Sequence, residues 1–525
     1  MESPKHGDIG VVDTVKGLFN NQRHSGESYT ALLEDPELGS SSSETSSDIP
    51  LDDVEEKQLP LAKRRWSCAG RYGAKDAGRL VQRVFWTLMP SFVAHAFGQG
   101  DEDSVIPQPS STSYLNGLRG IASLIVAFFH NTDDYFFFVR RGYGQQPGDH
   151  HLIQLPFVRL LVSGVYMVAI FFVISGFALT YGPLKKTYSG PDGPDKAIAS
   201  LPSSVFRRAF RLFIPIVPVL IATDFLIRIR WFYVMGGSDP VQPMPGGLWE
   251  YAVHVWHSLI VIVTEGRTDT ILPQGWTLAA EYQGSLIVFL TCLALARVSP
   301  YVRIPCVAAM MVFVMCVVGQ WQQSLFLAGM LLADARHLRA KFPALEGKAR
   351  TAVAVVSWLV VLLALFMGGF PVSGNGFEAT GFRHLAWVPT FGVKEVWNFF
   401  ESVAAVMLVA ALENLPVLQR VLNCRPVLYL GEISYGLYLV HWAVGKNLLT
   451  KGLSVHLLRS GHDALFSWAA GFAVTMSLAI WIADIHWRLC DQNVADVAMD
   501  RKIMSPHWRH TFRVGAQVMT VEPSS

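Results

Sequence analysis

The fold class this sequence predicts is all-α: a polytopic transmembrane helical bundle of about ten spans, with a disordered N-terminal tail. Three observations predict it. The 525 residues are 51% hydrophobic and only 16% charged, where a soluble domain carries about 25% charged residues. Mean hydropathy is positive, at +0.32, and a soluble protein this apolar would expose aggregating surface. Long uncharged runs recur, among them 351–369 (TAVAVVSWLVVLLALFMGG), 160–181 and 465–482. A bilayer core about 30 Å thick needs about 20 apolar residues per helix. The runs are continuously apolar, not alternating, so helices and not barrel strands satisfy their backbone groups in lipid.

Residues 1–111 read as a largely disordered cytosolic tail. The stretch 39–48, GSSSSETSSD, is a low-complexity Ser/acidic segment that cannot build a core. An interfacial helix is expected near 79–97, where Trp86, Leu88 and Phe92 are interleaved with polar residues and Pro90 interrupts them. No cleavable signal peptide is read in the polar N-terminus, so the first span is expected to act as its own insertion signal. Spans are expected at 114–139, 158–181, 205–227, 275–296, 303–320, 322–335, 351–369, 395–413, 427–447 and 464–486. The transmembrane unit is thus 112–486, followed by a cytosolic tail, 487–525.

Lys and Arg bias sets the orientation. Lys185, Lys186, Arg207, Arg208 and Arg211 bracket the second loop, and Arg336, Arg339, Lys341, Lys348 and Arg350 crowd the one before residue 351. Placing both in the cytosol puts both termini there. The apolar piece 251–264 is too short to span and would flip every later loop, so it is expected to lie at the far interface or to re-enter. The net charge of +2 argues for no polyanionic partner, and no nucleic-acid motif is present. The six cysteines show no metal-ligand spacing and read as small apolar residues, with no metal expected.

Ionisable residues inside spans are expensive and are functional candidates by default. Arg119 opens the first span and His130 sits inside it, eleven positions on. That is about 16 Å along the axis and close to three turns, so both share one face. Asp133 and Asp134 follow His130 at i+3 and i+4, the spacing that sets a carboxylate beside an imidazole and raises its basicity. The competing reading is a packing histidine bonded to a carbonyl. Arg208 and Arg211 share a face at the cytosolic boundary, level with Arg119. Three guanidiniums there suit phosphate groups, although lipid headgroups would also explain them. Glu281 is expected one to two turns below the far interface, placed to bind or polarise a hydroxylated ligand. Trp276, Tyr435 and His441 complete the list as candidate substrate-binding residues. Glu401, Glu413 and Asp484 lie near span ends and read as structural.

These residues also carry a resemblance. Arg119-x10-His130, SGF at 175–177, RAFR at 208–211, GWTLAAE at 275–281 and GEISYGLYLVHW at 431–442 follow one another in the order found in the acyltransferase-3 family of membrane O-acyltransferases. The long Ser-rich tail resembles the fungal branch. The resemblance implies a ten-span core and transfer of an acyl group, often acetyl, from a coenzyme A thioester to a hydroxyl of a sugar, glycan, lipid or secondary metabolite. It implies that acyl-CoA is a co-substrate and not a resident cofactor. It implies an essential Arg119–His130 pair, with His130 at the catalytic centre, and marks Arg208, Arg211, Trp276 and Glu281 as functional. The expected mechanism has Arg119, Arg208 and Arg211 holding the CoA phosphates. His130, oriented by Asp133 or Asp134, is the general base, and Glu281 polarises the acceptor. No Ser or Cys nucleophile with an adjacent base is visible, while an acyl-imidazole on His130 stays open. The competing class is a proton-coupled small-molecule transporter using the same His, Asp and Glu as a relay. No internal repeat supports it.

Overall fold

The computed structural model describes residues 82, 85–99, 109–232, 247–265 and 271–491. The Ser-rich segment, most of the N-terminal tail and the tail from 492 lie outside the described residues. Helices account for nearly all regular structure, and no strand is present among the described residues beyond one isolated bridge, Phe232 with Asn447. In chain order we number α1 (Ser91–Ala96), α2 (Ser113–Asp133), α3 (Gly164–Thr187), α4 (Gly193–Phe213), α5 (Ile216–Arg228), α6 (Leu248–Ile260), α7 (Trp276–Ala294) and α8 (Pro300–Phe313). Then follow α9 (Trp321–Arg339), α10 (Gly347–Met367), α11 (Val396–Leu412), α12 (Pro416–Leu422), α13 (Arg425–Lys446), α14 (Thr450–Arg459) and α15 (Ala464–His486).

Six helices among the described residues are long and apolar enough to cross a membrane: Gly164–Thr187, Gly193–Arg228, Pro273–Ala294, Pro300–Val318, Gly347–Met367 and Ala464–Cys490. A seventh is reached if Val396–Leu412 and Pro416–Leu422, bent by 103°, form one broken span. This makes a multi-pass membrane protein, with fewer such spans than the ten expected. The shortfall has a physical cause. Helices α2, α9 and α13 are 21, 19 and 22 residues long, which is enough to cross. They carry Asn116, Arg119 and His130, Asp334 and Arg336, and Glu432 and His441, and those side chains lower their hydropathy. The third span also differs. Helices α4 and α5 form one rod of 36 residues, about 54 Å long by its rise, so the polar half that precedes 205–227 projects beyond a 30 Å core. The piece at 251–264 falls within a short apolar helix, Leu248–Thr264, tied to α5 by His254 Nδ1 at 2.9 Å from Asp224.

The candidate spans grade from mostly exposed to mostly buried. Only 17% and 22% of the apolar windows of Pro300–Val318 and Gly347–Met367 are buried inside the protein, against 67% for α3. Val312, Phe313, Val355, Leu359 and Leu362 therefore point outward, the arrangement expected in hydrocarbon. At the centre, α3 crosses α9 at backbone contact. A Cβ on Gly176 would lie 2.2 Å from the Phe326 carbonyl oxygen, and one on Gly329 would lie 2.2 Å from that of Val173. Small residues let membrane helices approach this closely, because dispersion contacts and not the hydrophobic effect join them. Gly176→Leu should therefore cost at least about 1–3 kcal/mol by forcing the helices apart. Its thermal midpoint in detergent should drop clearly below that of Gly445→Ala, whose added Cβ meets its nearest atom at 3.6 Å. Equal midpoints would refute the crossing.

Buried polar ties lock the ends of the bundle. Arg303 and Asp334, both 2% exposed, form a two-pronged ion pair with both contacts at 2.7 Å. Arg336 bonds Glu413 at 2.8 Å, and Tyr114 donates to the same carboxylate. Asp484 is fully buried and accepts from the Ser91 N–H, the Tyr429 hydroxyl and Arg488. It thereby holds α1 against α13 and α15. The expected interfacial helix is thus split at Pro90 into a turn at 85–88 and α1, with Phe85, Leu88, Phe92 and Phe97 left exposed.

Candidate active site

Five helices, α2, α3, α4, α7 and α13, line a cavity of about 520 Å³. Arg119 enters it from α2, Ser175 from α3, Glu281 from α7 and Glu432 from α13. Arg207, Arg208 and Arg211 enter from α4, where i, i+1 and i+4 spacing fans three side chains over one side of the helix. Four guanidiniums thus meet two carboxylates inside an apolar bundle. Close approach of α2 and α13 makes this possible, since a Cβ on Gly120 would lie 2.4 Å from the Gly431 nitrogen.

The charges are not equivalent. Arg208 forms an ion pair with Glu281 and donates from Nε to Ser285 Oγ at 3.0 Å. Ser175 donates to the other oxygen of Glu281 at 2.8 Å. Arg119 donates to Asn116 Oδ1 at 2.8 Å and to the Gly431 carbonyl at 3.0 Å, while Asn116 donates to Glu432 at 2.7 Å. The side chains of Arg207 and Arg211 make no hydrogen bond or ion pair among the described residues. Two guanidiniums one helical turn apart therefore face the cavity uncompensated.

His130 does not line this cavity. It lies near the C-terminal end of α2, deep in the protein mass, yet its side chain keeps an open surface. Between it and the cavity stand Tyr438 and His441 of α13. Tyr438 is on the cavity wall, its hydroxyl 2.8 Å from Thr277 Oγ1 and its ring 5.8 Å from that of His441. The His441 ring in turn stacks on His130, with centroids 5.4 Å apart and planes 26° apart. A row of Tyr438, His441 and His130 thus runs from the arginine-lined cavity to an open surface.

Several expectations need correction. Asp133 does not hold His130: both its oxygens are taken by Arg140, at 2.6 and 2.5 Å. Asp134 pairs with Lys446 at 2.5 Å and Lys451 at 3.5 Å. Both carboxylates sit near the imidazole, but the side-chain hydrogen bonds they accept come from Arg140, Lys446 and Lys451. Glu281 is not apart from the arginines on an acceptor side; it is the counter-ion of Arg208. Trp276 is outside the cavity lining and packs against the main apolar core. His441 is buried behind Tyr438 and does not line the cavity. Tyr435 does line it, and its hydroxyl donates to the Leu212 carbonyl at 2.5 Å. By sequence Arg207 stands out only as a topology charge, since the RAFR motif begins one residue later. Its i,i+4 spacing to Arg211 is the signal that marks it. No group of three or more His, Cys, Asp or Glu side chains among the described residues is placed to hold a metal ion.

Comparison with known proteins gives a consistent picture. A family model described as an acyltransferase domain, the acyltransferase-3 type, matches residues 112–485. An O-acetyltransferase, PaAT-1, of Phomopsis amygdali is 31% identical over 389 residues, covering 67% of this chain and 75% of that protein. Acyltransferase R4 of a Phoma species is 26% identical over 437 residues, covering 70% and 90%. Acyltransferase clz18 of Cochliobolus lunatus is 24% identical over 433 residues, covering 71% and 91%. No solved structure matches.

Proposed function

The chain belongs to the acyltransferase-3 family and is an O-acyltransferase, and on that premise we propose that it moves an acyl group from a coenzyme A thioester to a hydroxyl acceptor, with His130 as base. Acetyl is the group we assign, following the O-acetyltransferase among the similar proteins. The observation that carries this reading is the pair of uncompensated guanidiniums, Arg207 and Arg211, in a cavity that also holds Arg119 and Arg208. Surplus positive charge inside an apolar bundle is costly unless an anion uses it, and Arg binds phosphate through two parallel hydrogen bonds.

The donor's phosphates bind at the arginines, and its thioester arm extends past Tyr438 toward His130. The acceptor arrives on the open side of His130. His130 takes the hydroxyl proton, the oxygen attacks the thioester carbonyl, the carbon–sulfur bond breaks, and the leaving thiolate recovers the proton. Glu281 serves the donor side in this scheme, by holding Arg208 in place. We further assign ten spans to residues 112–486, counting the polar α2, α9 and α13 as crossing. We place the basic loops and the tails 1–111 and 487–525 in the cytosol. The acceptor is a hydroxylated sugar, lipid or secondary metabolite.

Two measurements test this. Coenzyme A should raise the thermal midpoint of the purified protein, whereas ions should not; stabilisation by ions alone would favour a proton-coupled carrier. Arg211→Ala should raise the KM for acetyl-CoA about tenfold or more, the worth of one hydrogen bond to a charged group, and leave acceptor dependence unchanged. An unchanged KM for acetyl-CoA would remove the arginines from donor binding. Comparing the metabolites of cells with and without the protein, and seeking a mass loss of one acyl group, identifies the acceptor.

A further inference from the structure

His441 lies on α13 with its side chain 4% exposed. Its Nδ1 is 3.2 Å from the Leu437 carbonyl oxygen, one turn earlier in the same helix. A carbonyl only accepts, so Nδ1 carries the hydrogen and Nε2 is left as a bare lone pair. That Nε2 is buried and has no hydrogen-bond partner among the described residues. A buried acceptor without a donor is destabilising, and each such atom calls for an explanation in use. A leucine or phenylalanine at this position would fill similar space without the loss.

The ring stacked on His441 is that of His130, at 5.4 Å between centroids. His130 is the mirror case. Its recorded side-chain contacts are ring contacts with Phe129 and His441, and the two nearby carboxylates are taken by Arg140, Lys446 and Lys451. One imidazole has a fixed lone pair and no donor. Its neighbour has an N–H that no carboxylate receives, on a side chain that keeps an open surface. A base of this kind works only when its tautomer is fixed, which is the task of the third group in hydrolase triads.

We propose that His441 is the positioning residue of His130: in the working state His130 donates an N–H to His441 Nε2, which fixes the His130 tautomer and presents its other nitrogen to the acceptor hydroxyl. This rests on the reading of His130 as the base. The balance of the reaction is unchanged. His130 takes one proton from the hydroxyl and returns it to the departing thiolate, while His441 keeps its own hydrogen on Nδ1 throughout. The orienting group is neutral, so the imidazolium formed during transfer is not pinned by a carboxylate and gives its proton back readily.

The test uses the full chain in detergent. Turnover is read as release of coenzyme A thiol from acetyl-CoA, with a small-molecule extract of cells lacking the protein as acceptor. His441→Leu removes the lone pair and keeps the volume. It should lower kcat about tenfold, the effect of one lost hydrogen bond, with the KM for acetyl-CoA unchanged and the thermal midpoint equal to or above wild type. His441→Gln, whose Oε1 accepts the same N–H, should stay within about threefold of wild type. Equal rates for the Leu and Gln variants would overturn the positioning role, whether both are fast or both are slow. If His130→Ala turns over like wild type, the base assignment itself fails. An inactive His130→Ala beside a fully active His441→Leu leaves that assignment intact and overturns only the role of His441.

Discussion

His130→Ala is expected to fold and insert normally and to transfer acyl groups about 10²–10⁴-fold more slowly, the range a positioned general base supplies. Folding is expected to survive because the ring keeps an open surface and, among the described residues, makes no hydrogen bond that truncation would orphan and has ring contacts with Phe129 and His441. Removing it therefore takes away chemistry more than packing. The measurement is thiol release from acetyl-CoA by detergent-purified variant and wild type, each checked for an unchanged thermal midpoint. The proposed donor site is the arginine-lined cavity, which His130 does not line, so on that proposal the variant should still be stabilised by coenzyme A to the wild-type extent. That separation of binding from turnover distinguishes a lost base from a collapsed site. Acyl transfer at near wild-type rate in a folded variant would exclude His130 as the base.

The contrast between what was legible in the sequence and what was not follows the range of the interactions. Apolar runs mark helices by local composition, and the last span, expected at 464–486, is Ala464–His486. The seventh, expected at 351–369, is Gly347–Met367. The first helix ends at Asp133, six residues before its expected end, where Asp133 and Asp134 pair with Arg140, Lys446 and Lys451. Helix periodicity also gathered Arg208 and Arg211 on one face, and both do reach one cavity with Arg119, Glu281 and Tyr435. What periodicity cannot supply is partner choice. The i+4 spacing of Asp134 makes His130 look like its partner, while the residue it pairs with, Lys446, is 312 positions away on α13. The same blindness put Glu281 on the opposite side of the membrane from Arg208, and it hid Arg207, whose significance depends on having no partner at all among the described residues. Trp276 shows the converse: its place in a recognisable motif says nothing about whether it faces the cavity.

The Arg208–Glu281 pair carries the second large expected effect. Its side chains are 21% and 14% exposed, so each charge is mostly withdrawn from water but still reached by the cavity. Breaking a fully buried pair by removing one partner costs about 3–5 kcal/mol; the partial access here reduces that to about 1–3 kcal/mol. Glu281→Gln keeps one acceptor oxygen where Ser175 and Arg208 use two, sets an amide NH2 at the other position, and leaves a third guanidinium without a counter-charge. Arg208→Met leaves a carboxylate held by Ser175 alone. Both single variants should lower the thermal midpoint. The double variant should recover most of it, because neither charge is then stranded, and the resulting coupling energy should fall in the range of about 0.5–3 kcal/mol found for residues in one network. Activity should not recover in the double variant. If the pair exists to hold a guanidinium against the donor, removing both members restores the fold and not the function, and the KM for acetyl-CoA should stay raised. A purely structural pair predicts the reverse, with stability and turnover returning together, and that result would detach Glu281 from donor binding. A third pattern, full activity in Glu281→Gln alone, would mean that Arg208 needs no counter-charge to stay in place and that its hydrogen bond to Ser285 suffices.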